Sequence, residues 1–321
     1  MNEQELFVGI DLGGTNIKGG LVSKNGEIVV KKKIPTEVDG GVNHVLNRIK
    51  QLVHELTESI NNNIPIRHMG IGMAGQVDAK RGVFLEGPNL PGWHGVNAVK
   101  ELTKLLNISV AVDNDANLAA LAEFTYGAGK GARDMLMVTL GTGVGGGLIL
   151  GGKIYHGAGG LAGEFGHITI QQDGPVCKCG RRGCVEAFVG TYAIIRQVRE
   201  KIDAGQESLL KKIDPGKMTP KDVSIAAAQG DKLALEVLRD VGTYLGIGLA
   251  NVVNLLNIER VVVGGGVANA GKFILEPARE SLNKSALTNL AKMVTVVPSV
   301  LGEQAGIVGA AMLAVLEKSS E

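Results

Sequence analysis

Two stretches of this chain follow nearly the same pattern: IDLGGTNIKGGLVSKNGEIV at residues 10–29 and TLGTGVGGGLILGGKIY at residues 139–155. Each reads as a strand ending in a Leu-Gly knot, a returning strand, a short turn containing glycine, and then Glu or Lys followed by Ile. Setting Gly13 on Gly141 brings the two into line, with the second hairpin's later turn shorter by about two residues. A duplication predicts two related domains, each presenting a phosphate-facing hairpin to a shared cleft; two unrelated glycine-rich hairpins would also give the pattern. Glycine is abundant throughout, 47 residues of 321, roughly twice the usual share. It falls in tight knots between β-like runs, where the backbone must turn sharply or approach a ligand closely.

A chain of 321 residues exceeds what one ordinary core supports, so two domains are expected. The net charge is +1, from 33 basic and 32 acidic residues, which argues against nucleic acid as a partner. Aromatic residues make up only 3%, too few for platforms that stack single-stranded bases. The opening MNEQELFVGI has neither a basic segment nor a long apolar run behind it, so no secretory signal is expected. No apolar run reaches the length of a membrane span. The expected setting is cytoplasmic and reducing. All three cysteines, Cys177, Cys179 and Cys184, sit in GPVCKCGRRGCVEAFVG at 174–190. A disulfide, a redox pair and a metal clamp are the candidates, and a reducing setting favours metal or catalysis over disulfide.

Helices and strands alternate after each hairpin. Residues 42–60 carry apolar residues at helical spacing. Residues 66–75 read as a short strand into a glycine turn, and 108–127 as a strand, a polar turn and a helix ending at Gly127. Residues 234–256 form a long helix with glycines on one face, followed by a buried strand and another glycine knot at 258–267. The pattern is α/β. The domains are placed at 1–120 and 121–301, with the last helix, 302–321, packing back on the first.

Three segments imitate phosphate motifs. GLILGGKI at 147–154 nearly spells a P-loop, but Ile154 stands where Ser or Thr is required and a hairpin surrounds it. GIGMAG at 70–75 and GTGVGG at 141–146 match G-x-G-x-x-G, yet strand-like sequence follows each, which argues against a Rossmann site.

DLGGTNIKGG at 11–20, DNDANLAALAE at 113–123 and LGTGVGGG at 140–147 together resemble the sugar kinases of the actin-like ATPase superfamily. The stretch from Leu140 through GGLAGEFGHITI to CKCGRRGCVE is similar to the signature of the ROK family (repressors, open reading frames, kinases), and within it most similar to the bacterial glucokinases. The likeness covers nearly the whole chain. It implies an α/β, two-domain actin-like ATPase fold (ribonuclease H-like) with an interdomain cleft, and ATP-dependent phosphorylation of a hexose, glucose first, at its 6-hydroxyl. Kinases for N-acetylmannosamine, mannose, fructose or allose remain alternatives. A sugar-responsive repressor is disfavoured, because the first hairpin begins by residue 11, ahead of which no DNA-binding segment is expected. A homo-oligomer, dimer or tetramer, is implied by the same resemblance.

The residues support this chemistry. Gly13 and Gly14 let backbone N–H groups face phosphate oxygens, Thr15 can donate a hydroxyl, and Asp11 can hold Mg²⁺. Thr142 and Gly143 form the second half of the cradle, and Gly264, Gly265 and Gly266 lie by resemblance against the adenosine. Asp115 follows a strand and precedes a helix, where capping is as ordinary a fate as catalysis. The resemblance assigns it the general base that takes the sugar hydroxyl's proton, with Asn114 beside it and Asp113 structural. By the same resemblance Gly75, Asn89, Glu164, His167 and Glu186 complete the sugar site. Trp93 and His94 either line the cleft or belong to a packed loop, and the sequence favours neither. One departure stands out: Ala74 occupies a turn where many relatives carry proline, which bears on sugar preference. Finally, His167 joins Cys177, Cys179 and Cys184 as a Cys₃His set, the donor pattern of a closed structural Zn²⁺ site.

Overall fold

A computed structural model of the chain describes residues 5–60, 65–214 and 216–319. In chain order its elements are β1 (Leu6–Leu12), β2 (Asn16–Ser23), β3 (Ile28–Pro35), α1 (Gly41–Glu58), β4 (His68–Met73), β5 (Gln76–Asp78), β6 (Val83–Glu86), α2 (Ala98–Leu106), β7 (Ser109–Asn114) and α3 (Asp115–Tyr126). There follow β8 (Met135–Leu140), β9 (Val144–Leu150), β10 (Lys153–Ile154), α4 (Glu186–Val189), α5 (Thr191–Asp203), α6 (Pro220–Ala228) and α7 (Lys232–Leu256). The chain ends with β11 (Arg260–Gly264), α8 (Lys272–Ser285), α9 (Thr288–Ala291), β12 (Thr295–Pro298) and α10 (Ala305–Lys318). No helix among the described residues is long and apolar enough to cross a membrane.

The chain forms two compact units. The first comprises Met1–Lys130, Ile154–Ala162 and Glu303–Glu321; the second comprises Gly131–Lys153 and Gly163–Gly302. Helix α3, which a boundary at 120/121 would cut, lies wholly in the first.

The first unit is built on a sheet of order β3-β2-β1-β4-β7. The hairpin strands are antiparallel, with Leu12 opposite Ile17, whereas β4 and β7 run parallel to β1. Helix α1 covers one face because its apolar residues recur at helical spacing: Val45, Leu46, Ile49, Leu52, Val53 and Leu56 are all buried. Helix α10 covers the other face at backbone distance. A Cβ on Gly9 would overlap the Ile307 carbonyl, one on Gly70 the Ala310 carbonyl, and one on Gly309 the Leu118 carbonyl. Glycine is therefore required at these contacts between β1, β4, α3 and α10.

The second unit repeats the plan. Its sheet has the order β10-β9-β8-β11-β12, again an antiparallel hairpin followed by two parallel strands. In each sheet a three-residue turn joins the first two strands: Gly13–Gly14–Thr15 follows Leu12, and Gly141–Thr142–Gly143 follows Leu140. Identical strand order and equivalent turns are what a duplication produces. On α7, Gly242 and Gly246 face the Ile274 and Ala278 carbonyls of α8, whereas Gly248 faces Val185 and Phe165. The glycines of α7 thus serve two contacts rather than one face.

Candidate active site

Each three-residue turn has its first and last carbonyls tied down and its second and third amides free. In the first, buried Thr36 donates its hydroxyl to Gly13 O at 2.6 Å and its N–H to Thr15 O at 3.0 Å. Gly14 has no room for a side chain, since a Cβ would lie 2.7 Å from Asn89 O; this also places Asn89 beside the turn. In the second, Thr191 donates both its hydroxyl (2.8 Å) and its N–H (3.0 Å) to Gly141 O. Among the described residues, the N–H groups of Gly14, Thr15, Thr142 and Gly143 make no hydrogen bond. Fixed carbonyls and unpaired amides form the kind of concavity that binds phosphate oxygens. Nothing in the sequence marks Thr36 or Thr191 as the residues that fix these turns.

Asp11, at the end of β1, pairs with Lys18 on β2 at 3.9 Å. Burial pushes its carboxyl above the ordinary range, and Lys18 offsets part of that rise. Gly306 on α10 lies against this carboxylate, with no space for a Cβ.

The carboxylate set of the first unit is organised at the junction of β7 and α3. The sequence predicts a polar turn here, but β7 runs directly into α3. The turn is unnecessary because Asn114 caps the helix, its Oδ1 accepting from Ala116 N at 2.9 Å and Asn117 N at 3.2 Å. Its amide donates to Gly75 O (2.9 Å) and to Asp115 Oδ1 (3.0 Å). Asp115 Oδ1 also accepts from Ala116 N, and Oδ2 makes no hydrogen bond among the described residues. Burial, and next the nearby negative charge of Asp11, push the Asp115 carboxyl up to about 7, against the lowering effect of its hydrogen bonds.

Asp113 is buried, 1% exposed. It accepts from Asn114 N (2.7 Å), from Asn117 Nδ2 (2.9 Å) and from His156 Nε2 (2.7 Å). The bond to Asp113 raises the His156 pKa, although burial acts the other way. No motif in the sequence marks His156: it is a lone histidine two residues after the second hairpin, and only the return of Ile154–Ala162 to the first unit brings it to Asp113.

In the second unit, Gly265 packs against the Leu140 backbone, just ahead of the Gly141 turn. The segment holding Glu164 and His167 lies on β9 through glycines: a Cβ on Gly166 would overlap the Val144 carbonyl, and one on Gly163 would lie 2.6 Å from Gly146 O. His167 turns Nδ1 toward Cys177 Sγ (3.8 Å) and Nε2 toward Glu164 Oε2 (4.0 Å). One donor atom from each of His167, Cys177, Cys179 and Cys184 falls within 4.8 Å of the others, and Cys179 and Cys184 sulfurs are 3.8 Å apart. Tetrahedral bonds of roughly 2.3 Å separate thiolates by about 3.8 Å, so this donor set fits zinc. Gly180 and Gly183, both at positive φ, let the loop double back so that the sulfurs converge. Glu186 is also buried, its Oε2 accepting from Val144 N at 3.0 Å and its Oε1 lying 3.5 Å from Cys177 Sγ.

The sequence-derived candidates therefore fall into two groups. Asp11, Gly13, Gly14, Thr15, Gly75, Asn89, Asn114 and Asp115 belong to the first unit; Thr142, Gly143, Glu164, His167, Glu186, Gly264–Gly266 and the cysteines belong to the second. Trp93 is not available to line a cleft. It is buried in the first unit's core, edge-on to Phe84 at 6.3 Å, because a large indole stabilises more by filling the core than by facing water. His94 is exposed.

The model of the ROK family matches residues 7–317. The chain belongs to the ROK family. A protein named glucokinase from Halalkalibacterium halodurans is 39% identical to it, over 98% of this chain and 96% of that protein. Among solved structures, a ROK glucokinase from Streptomyces griseus in complex with glucose and AMPPNP is 35% identical. It superposes with a TM-score of 0.84, over 97% of this chain and 99% of that one. A ROK transcriptional regulator, a homologue of the E. coli MLC protein, is 28% identical with a TM-score of 0.88, over 98% of this chain and 78% of that one. With such neighbours, the two-unit fold is that of the ROK sugar kinases, the actin-like ATPase fold.

Proposed function

We propose that this protein transfers the γ-phosphoryl group of ATP to the 6-hydroxyl of a hexose, glucose in the first place, with Asp115 as general base. The observation that carries the reading is the state of Asp115: one oxygen tied by Asn114 and the helix N-terminus, the other free, and a carboxyl poised at about 7. A base is most effective when its pKa lies near the working pH. Asp115 Oδ2 takes the hydroxyl proton as the sugar oxygen bonds to the γ-phosphorus; the bond to the β–γ bridging oxygen breaks, and ADP leaves. A carboxyl titrating near neutrality then releases the proton to solvent. The proteins named glucokinase, matched along nearly their whole length, and the neighbour that binds glucose and an ATP analogue support this substrate pair.

The remaining assignments belong to the same reading. Asn89, with the Gly75 backbone, in the first unit, and Glu164, His167 and Glu186 in the second, bond the sugar hydroxyls; Asn114, whose amide hydrogens and Oδ1 are already engaged, holds Asp115 and the Gly75 carbonyl in place. The turns at 13–15 and 141–143 hold the phosphates, and Gly264–Gly266 lie against the adenosine. Asp11, whose carboxylate is near enough to Asp115 to perturb it, is suited to Mg²⁺, which keeps waters and takes one or two carboxylates beside substrate phosphates. Bound there, Mg²⁺ would offset phosphate charge. The Cys₃His set is suited to a structural zinc that fixes His167 by Nδ1 and leaves Nε2 toward the sugar.

A coupled ADP-release assay over glucose, mannose, fructose, allose and N-acetylmannosamine tests the substrate. Glucose is expected to give the highest kcat/KM. A value about tenfold higher for another sugar, ~1.4 kcal/mol of transition-state stabilisation, would displace it.

A further inference from the structure

Glu186 stands among the sugar ligands by resemblance, yet the residue is only 8% exposed. Its better-defined partner is a backbone amide: Oε2 accepts from Val144 N at 3.0 Å, the first residue after the Gly141–Gly143 turn. Gly143 leaves no space beside it, since a Cβ would lie 2.5 Å from the same Oε2. At the other end of the turn, Thr191 holds Gly141 O with two hydrogen bonds, and a Cβ on Gly190 would sit 3.4 Å from Thr142 O. The whole turn thus rests on residues 186–191, with Glu186 at one end and Thr191 at the other. The first unit's turn is held differently, both of its carbonyl ties coming from Thr36.

We propose that Glu186 is a positioning residue for the nucleotide: by holding the Val144 N–H it sets the shape of the 141–143 turn, so ATP affinity depends on it even when no sugar is bound. This rests on the reading of that turn as part of the phosphate cradle. A buried N–H that loses its acceptor destabilises the conformation that buries it, and here that conformation is the one that leaves the Thr142 and Gly143 amides unpaired. A residue that only contacted sugar would change glucose affinity and leave nucleotide affinity alone.

The test is calorimetric titration of the sugar-free, full-length protein with Mg²⁺ and a non-hydrolysable ATP analogue. Glu186→Ala should weaken nucleotide binding roughly tenfold, the scale of one lost buried hydrogen bond. Glu186→Gln keeps an acceptor oxygen and should stay within about threefold of the parent. Gly143→Ala, which forces a methyl group onto Glu186 Oε2, should also weaken the nucleotide. In the Gly143→Ala/Glu186→Ala pair that collision is gone, so the losses should be less than additive. Equal nucleotide affinity in Glu186→Ala and the parent would overturn the proposal, as would additive losses in the pair, which does not depend on the behaviour of Glu186→Ala alone. A parent protein that binds glucose but no nucleotide would overturn the kinase reading along with it.

Discussion

Replacing His156 with alanine probes a tie that no motif announced. Among the described residues Asp113 has three hydrogen-bond partners, and of these His156 alone does not come from the β7–α3 junction itself. Without the imidazole, Asp113 Oδ2 keeps its burial and loses its donor. An unsatisfied buried acceptor costs about 1–3 kcal/mol; the His156 side chain is 34% exposed, so water can reach the gap, and a loss of about 1–2 kcal/mol is expected. Trp93, the single tryptophan, lies in the first unit's core, so its fluorescence during urea titration follows that unit. The pH dependence has a defined sign. The folded-state pKa of His156 is raised above its unfolded value of about 6.5. The bridge's stabilisation is therefore complete below about 6.5 and is lost as pH rises through the higher folded value. The gap between wild type and His156→Ala should be wider at pH 6 than at pH 9, and His156→Gln, which can still donate, should close part of it. A gap under about 0.5 kcal/mol at both pH values, the range of an ordinary surface substitution, would refute this account of Asp113.

Two further outcomes follow from packing and from the cysteine loop. Gly70→Ala should destabilise the first unit by at least the ~1–3 kcal/mol typical of overpacking, because its Cβ would meet the backbone of α10 rather than a side chain that can move; the Trp93 titration measures it. Elemental analysis should find one zinc per chain, and Cys179→Ser or strong chelation should release it and weaken glucose binding by calorimetry. Three freely titratable thiols in a fully active native protein would contradict the zinc site.

The alternation of helices and strands was legible because its signal is local. Glycine knots after apolar runs marked where strands end, and helical spacing marked α1 and α7. The paired hairpins were legible for the same reason, and the equal strand order of the two sheets agrees with them. What could not be read depends on pairings between distant residues. Thr36 and Thr191 look like any other threonine until the chain folds back to place them under the glycine turns. The Asp113–His156 bond required Ile154–Ala162 to rejoin the first unit, a return without compositional trace. For Trp93 the sequence leaves a cleft-lining side chain and a packed loop equally open, and only the packing of the indole against Phe84 separates the two. The sequence marks Glu186 only through its family role, and its bond to Val144 N emerges only from the contact between α4 and the start of β9.

The central claim is that Asp115 removes the proton from the sugar hydroxyl. Asp115→Asn keeps the size and the hydrogen bonds of the side chain but cannot accept that proton. Turnover with glucose and ATP should fall at least ~10²-fold, the usual effect of losing a general base, while calorimetry shows glucose affinity largely kept. In the wild type, kcat/KM should rise with pH through about 7, because the base must be deprotonated, and that limb should be missing from the variant's residual activity. Near-normal turnover in Asp115→Asn, with the acidic limb intact, would contradict the account.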